Sequence, residues 1–298
     1  MTRFEFAPLG AARSRLGENP TWRPDDGELW HVDVHNGLFR RTAWATGATT
    51  DRKVGERVTF VLPAADGSAI VSVAHGLGPL PAEGEAPAQL PIETDLPHTS
   101  INDGKVDPRG RLWFDTLDRP QQQDHCALYR LDAPDAASVQ VPGVLLGNGL
   151  GWSPAGDRMY FVDSRRQRID VFDYDLHTGS LGERRVLCEI PEAEGMPDGL
   201  AVDAEGSVWV ALYGGWQLHR YTPDGTLADK VAVPVRYPTC PGFAGPDLRT
   251  LVVTTAYAYL QDEGEPIGEL DGAVLVTDAD VPGLLPPPSA LSLTGSPV

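Results

Sequence analysis

Cysteine is scarce in this chain: Cys126, Cys188 and Cys240 are the only three in 298 residues. They are too few and too scattered for a disulfide framework or a zinc ribbon, and they read most simply as core fillers. Basic residues are also short, with 24 Lys plus Arg against 42 Asp plus Glu and a formal net charge of −18. That balance argues against nucleic acid and membrane surfaces as partners, because phosphate backbones and anionic lipid would repel it. No run of about 18 apolar residues occurs, so no transmembrane helix is expected. The first twenty residues lack the apolar stretch of a secretory signal, and a reduced, cytoplasmic setting is the resulting expectation. Helical periodicity is nearly missing: no twelve-residue stretch free of Gly and Pro carries clean i, i+3, i+4, i+7 apolar spacing. Catalytic signatures are missing too. The seven His form no H-x-x-H pair, and there is no G-x-S-x-G elbow, G-x-G-x-x-G turn or Walker loop. Zinc-cluster, Ser–His–Asp and nucleotide chemistries therefore have no support.

Turn formers and core formers are plentiful. Gly and Pro number 32 and 27, and 41% hydrophobic residues with seven Trp suffice for a substantial core. Short runs rich in β-branched and aromatic residues recur: ELWHVDV (28–34), SAIVSVA (68–74), RLWFDTL (111–117), RMYFVDS (158–164), SVWVALY (207–213) and TLVVTTA (250–256). Five follow a turn glycine, Gly27, Gly67, Gly110, Gly156 and Gly206, spaced 40, 43, 46 and 50 residues apart. A period of about 40–50 residues is that of a four-stranded propeller blade. A β-sandwich has no reason to repeat one motif six times. The predicted fold is all-β, a six-bladed β-propeller occupying 1–298 as a single domain. Residues 76–97 are expected to form a surface loop, and about 283–298 a Pro-rich tail.

Counting back six positions from the turn residue after each motif gives Glu18, Asn102, Asn148 and Asp198, with Thr59 and Thr239 nearby in the other two blades. Equivalent positions in a propeller lie on a circle around the channel. Asn-Gly and Asp-Gly are common turn dipeptides, but four oxygen-bearing residues in phase predict a converging site. Two carboxylates and two amide carbonyls suit a hard divalent cation such as Ca²⁺, Mg²⁺ or Mn²⁺. Gly149 and Gly199 would let backbone approach the axis closely. Tyr213 and Trp216 are candidates to cover the site, and Cys240 approaches the channel.

The same residues carry a family resemblance. The stretches LGENPTWRPDDGELWHVDV (16–34), INDGKVDPRGRLWF (101–114), NGLGWSPAGDRMYFVDS (148–164), GMPDGLAVDAEGSVWVALYGG (195–215) and TCPGFAGPDLRTLVVTTA (239–256) resemble the SMP-30/gluconolactonase/regucalcin family of six-bladed propellers. The resemblance implies a metal-dependent lactonase that hydrolyses a small-molecule lactone, a sugar lactone or another, to its hydroxy acid. It implies one divalent ion held by Glu18, Asn148 and Asp198, with Ca²⁺ first in order and Zn²⁺, Mg²⁺, Mn²⁺ or Fe²⁺ tolerated by the same ligands. The ion would act as Lewis acid and water activator, Asp198 as general base, and Asn102 as a substrate contact. Ser100 stands where many sugar-lactone members carry an Arg that contacts substrate, and Asp115 where Gly is usual. The metal half is thus preserved and the substrate half altered. That keeps two other readings open, a secondary-metabolism tailoring hydrolase or cyclase and a non-catalytic metal-binding propeller. A monomer or weak homo-oligomer is expected.

Overall fold

The computed structural model describes residues 4–85, 89–120 and 123–293. Six four-stranded antiparallel sheets are arranged around one axis. The first blade runs Gly17–Arg23, Glu28–Asp33, Leu38–Ala43 and Thr49–Lys53. The second runs Val58–Pro63, Ala69–Val73, Gly76–Pro79 and Leu90–Pro91. The third runs Thr99–Val106, Leu112–Asp118, Cys126–Ala133 and Ala136–Val144. The fourth runs Gly147–Trp152, Arg158–Asp163, Arg168–Asp175 and Ser180–Glu189, and the fifth Met196–Val202, Val208–Tyr213, Gln217–Tyr221 and Leu227–Ala232. The sixth takes Pro238–Ala244, Thr250–Thr255 and Ala273–Asp278 from the end of the chain and Ala7–Arg13 from its beginning. Each innermost strand packs against the next, closing the ring.

All six β-rich runs found in the sequence are second strands of their blades, buried on both sides between neighbouring sheets. Their aromatic residues fill the gaps between blades. Trp113, Trp152 and Tyr174 meet edge to face at 5.9–6.3 Å across the third and fourth blades, and Trp209 meets Phe243 at 6.2 Å across the fifth and sixth. The stretch at 76–97 is not a plain loop. It supplies the two outer strands of the second blade, which are too short to show alternation.

Closure depends on the first strand. Ala7 and Pro8 pair with Val276 and Leu275, and Arg13 pairs with Ala273. Pro8 is tolerated because this strand is an edge with no further partner. Arg13 donates to the carbonyls of Gly268 and Asp271 at 2.7 and 2.5–2.7 Å. At the other end, Ser289 pairs in parallel with Ala64 and Leu293 is buried against the second and third blades. The remainder of the expected tail, 294–298, lies outside the described residues.

Many carboxylates are structural. Asp33 accepts the amides of Arg15 and Leu16, and Asp163 those of Leu145 and Leu146, just ahead of an inner strand in each case. Asp107 and Asp203 are fully buried in turns, where they accept two backbone amides each and pair with Arg111 and Arg220. No described helix is long and apolar enough to cross a membrane.

Candidate functional site

In every inner strand the ladder to the second strand slips at the same point. Paired residues Glu18, Val58, Ile101, Gly147, Pro197 and Pro238 are followed by a bulge, and pairing resumes at Thr21, Val61, Gly104, Leu150, Leu200 and Pro241. A bulge re-aims the residues it contains. Its first residue is Asn19, Thr59, Asn102, Asn148, Asp198 or Thr239, and these six are the equivalent positions around the axis. The sequence phase put Glu18 in this ring; the backbone puts Asn19 there, with Glu18 one residue earlier. The slip arises because Pro24 opens its turn, whereas Pro108 and Pro154 are second in theirs.

Asn19 has a positive φ of 54°, a conformation that Asn tolerates better than most residues. Its buried amide is committed to backbone: Nδ2 donates to Gly104 O at 3.3 Å and Oδ1 accepts from Val61 N at 3.2 Å. The acidic group that remains for the channel is Glu18, which is partly exposed. Burial, then the carboxyls of Asp198 and Asp103, push the Glu18 carboxyl well above its ordinary value. Asp198, buried in the fifth blade, is pushed up to about 8, by burial first and by Asp103 next, against a restraining hydrogen bond from Asn148. Asn148 Nδ2 also donates to Ser164 Oγ at 3.2 Å, and its Oδ1 accepts from Gly149 N at 3.1 Å. Asn102 Nδ2 donates to Gly147 O at 2.8 Å, fixing the plane of its amide. Asp198 is thus within interaction range of both Glu18 and Asn148, with Asn102 on the strand next to that of Asn148.

In the fourth and fifth blades the inner strands approach their neighbours so closely that the residue after the polar group must be small. A Cβ on Gly149 would lie 2.3 Å from Leu200 N, and one on Gly199 2.5 Å from Cys240 Sγ. Cys240 is buried and its thiol is pushed well up, chiefly by burial, so it is an inert filler. Lys105 Nζ donates to the Leu200 carbonyl, crossing from the third blade to the fifth.

Two residues before the ring, at the end where the inner strands begin, stand Gly17, Arg57, Ser100, Leu146, Met196 and Tyr237. Strand alternation returns this position to the face of the ring residue. Ser100 is buried, and its Oγ has no partner among the described residues. Beside Tyr237 are Tyr213 and Tyr259, with ring centroids 4.7 and 5.8 Å away, Tyr259 coming from the short helix Ala258–Glu263. The Tyr213 hydroxyl is raised by burial and then by Asp198, which places it at the site. Trp216 is 52% exposed on the turn between the second and third strands of the fifth blade. Among the described residues no three His, Cys, Asp or Glu side chains form a metal-binding group; the axial set offers two carboxyl groups and amides.

Residues 16–257 match the SMP-30/Gluconolactonase/LRE-like region. The chain belongs to this family. It is 33% identical to a 6-deoxy-6-sulfogluconolactonase of Pseudomonas putida over 92% of its own length and 94% of the relative's. It is 34% identical to the pentonolactonase XacC of Haloferax volcanii over 81% and 82% of the two chains. Among solved structures, the calcium-binding protein regucalcin from Agrobacterium tumefaciens superposes with a TM-score of 0.89 at 28% identity, covering 98% of this chain and 100% of that one.

Within this SMP-30/gluconolactonase fold, two site-forming residues escaped the sequence reading. Asp103 follows a ring residue and sits in the bulge, where its backbone N–H donates to Asp115 and its buried carboxyl raises Glu18 and Asp198. Arg57 precedes Thr59 by two, as Ser100 precedes Asn102, a phase readable only once the ring position is known.

Proposed function

We propose that this chain is a metal-dependent lactonase that opens a sugar lactone or other small lactone to the hydroxy acid. The observation that carries the reading is the pair Glu18 and Asp198: the Asp198 carboxyl raises the proton affinity of Glu18 inside the channel, and Asp198 is itself raised by burial and by Asp103. Like charges this close favour a shared proton or a shared cation. The donor set fits a hard divalent ion: two carboxylates, plus Asn148 Oδ1, which keeps a second lone pair beyond its bond to Gly149. We assign Glu18, Asn148 and Asp198 to hold it, with Ca²⁺ the first candidate because a relative is a calcium-binding protein. When bound, the ion supplies Lewis acidity to the lactone carbonyl and acidifies a water.

The chain's own residues do the rest. Asp198 takes the proton of the attacking water as general base and returns it to the ring oxygen as the acyl C–O bond breaks, so the product is the hydroxy acid. The hydrogen bond from Asn148 to Asp198 orients that carboxyl. Asn102, its amide plane fixed by Gly147, orients the substrate. The three tyrosines cover one side and reduce water access.

The test is a lactone panel assayed with and without EDTA, on the native chain and on Glu18→Gln and Asp198→Asn. Loss of turnover with EDTA and in both variants is expected. Full activity in both variants overturns the mechanism. Metal binding with no turnover of any lactone favours a non-catalytic metal-binding propeller instead.

A further inference from the structure

The substrate half of the channel holds an unexplained concentration of positive charge. Arg57 leads into the second blade at the position that Ser100 occupies in the third. Arg57 therefore brings a guanidinium to the same end of the channel, one blade over from Ser100. Arg57 interacts with the Glu18 carboxylate on one side and is repelled by Arg119 on the other. Arg119 follows the second strand of the third blade, and its amide bonds to His98 O beside Ser100. Two cations converging is unexpected in a chain with 42 acidic and 24 basic residues.

Two polar atoms here are buried and unsatisfied: Arg57 Nε and Ser100 Oγ have no partner among the described residues. A buried donor left without an acceptor is unfavourable, so a ligand that engages both atoms removes that penalty. The opposite wall is apolar at the equivalent positions, Leu146, Met196 and Tyr237. A substrate with one charged end has only one way round in such a cup.

We propose that Arg57, Ser100 and Arg119 form a subsite for an oxyanion substituent, and that the preferred substrate is a lactone carrying a carboxylate or sulfonate away from its ring ester. This rests on the lactonase reading above. The planar fork of Arg57 accepts two oxygens of either group, Ser100 Oγ donates to one of them, and Arg119 adds charge at the rim. The lactone carbonyl is then left facing Glu18 and Asp198.

The experiment compares kcat/KM for glucono-δ-lactone, which is neutral, with glucaro-1,4-lactone and a 6-sulfonated gluconolactone. It uses the metal-loaded native chain and the variants Arg57→Met, Arg57→Lys, Ser100→Ala and Arg119→Ala. The native chain should favour at least one anionic lactone by about tenfold or more. Arg57→Met should lower that value by about 10–100-fold, mostly through KM, and lower the value for the neutral substrate by a clearly smaller factor. Arg57→Lys should recover part of the loss. Whether the carboxylate or the sulfonate arm responds identifies the group. A native preference for the neutral lactone, or an equal loss on all three in Arg57→Met, overturns the proposal. Calorimetric titration with the sulfonated hydroxy acid separates the two readings. If no lactone is turned over but this anion binds and Arg57→Met abolishes binding, the lactonase reading falls and the subsite stands. No binding to the native chain overturns the subsite.

Discussion

The backbone amide of Asp103 donates to Asp115 Oδ1 at 3.1 Å, joining the bulge of an inner strand to a fully buried acid on the second strand. Asp115 Oδ2 has no partner among the described residues. Burial, then the charge of Asp103, pushes this carboxyl well up. Gly147 accommodates it, since a Cβ there would lie 2.5 Å from Asp115 Cβ. The acid at a position where the family resemblance leads one to expect Gly is therefore a support beneath Asn102 and Asp103.

Its replacement should separate shape from charge. Asp115→Asn keeps an acceptor for the Asp103 amide and is expected to leave thermal stability within about 1 kcal/mol of the native chain. Asp115→Ala orphans that buried N–H and is expected to cost about 1–3 kcal/mol. Denaturant melts of both variants measure the difference. Equal stability would show that the hydrogen bond is not what Asp115 contributes.

The raised carboxyl of Asp198 makes the ion-stripped protein pH-sensitive. Its value is about 8 in the fold and near the ordinary 3.9 when unfolded. The folded state thus keeps a proton that the unfolded chain releases. That contribution is fully present below about pH 4 and is lost as pH rises through 8. After EDTA treatment and dialysis, the midpoint temperature should fall between pH 5 and pH 8, and Ca²⁺ should raise it more at pH 8 than at pH 5. Asp198→Asn should flatten the slope. A midpoint that climbs over this range in the stripped protein contradicts the assignment.

How much of this was legible in the sequence follows from the range of each interaction. The second strands carry β-branched and aromatic residues every 40 to 50 positions because both their faces are buried, so they stand out in composition alone. Asn102, Asn148 and Asp198 are legible because each occupies the same bulge. Glu18 was found, but its register was not: the positive φ of Asn19 and a turn that begins one residue differently are backbone facts with no composition signal. Closure by Ala7–Arg13 was invisible for another reason. Its partner lies some 260 residues away, and the strand is half exposed with Gly10 and Pro8 inside it. The structural share of the acidic surplus was equally invisible: Asp33, Asp107, Asp163 and Asp203 are buried anchors whose partners lie in neighbouring turns and strands.

Removal of residues 1–13 tests that closure. The deletion exposes the edge of Ala273–Asp278 and strips the Gly268 and Asp271 carbonyls of the Arg13 guanidinium. It also removes the Arg13 carbonyl that Arg40 Nη1 donates to at 2.8 Å. An open propeller with a bare edge should unfold at lower temperature and aggregate. Hydrogen exchange should accelerate first in Thr250–Thr255 and Ala273–Asp278 and only later in the third and fourth blades. Uniform acceleration over all six blades would mean that the ring unfolds as one unit.

The last prediction concerns close approach at the axis. Gly149 follows Asn148, and a Cβ there would sit 2.3 Å from Leu200 N and 2.8 Å from Asp198 O. These are backbone atoms of the next inner strand and cannot swing aside as a side chain end would. Gly149→Ala must therefore push the fourth and fifth blades apart at the point where Asn148 reaches Asp198. The hydrogen bond that restrains the Asp198 carboxyl lengthens, and the two ligand side chains separate. Metal affinity measured by calorimetry should fall by at least about tenfold, as for loss of an orienting contact around a metal ligand, with a smaller loss of midpoint temperature. Gly151→Ala is the control: it lies in the same strand, yet its Cβ would meet only the side chains of Leu200 and Val202 at 2.8 and 3.0 Å. It should lose stability without the same loss of metal. If both variants bind the ion as the native chain does, the spacing between these two strands is not what sets the geometry of the site.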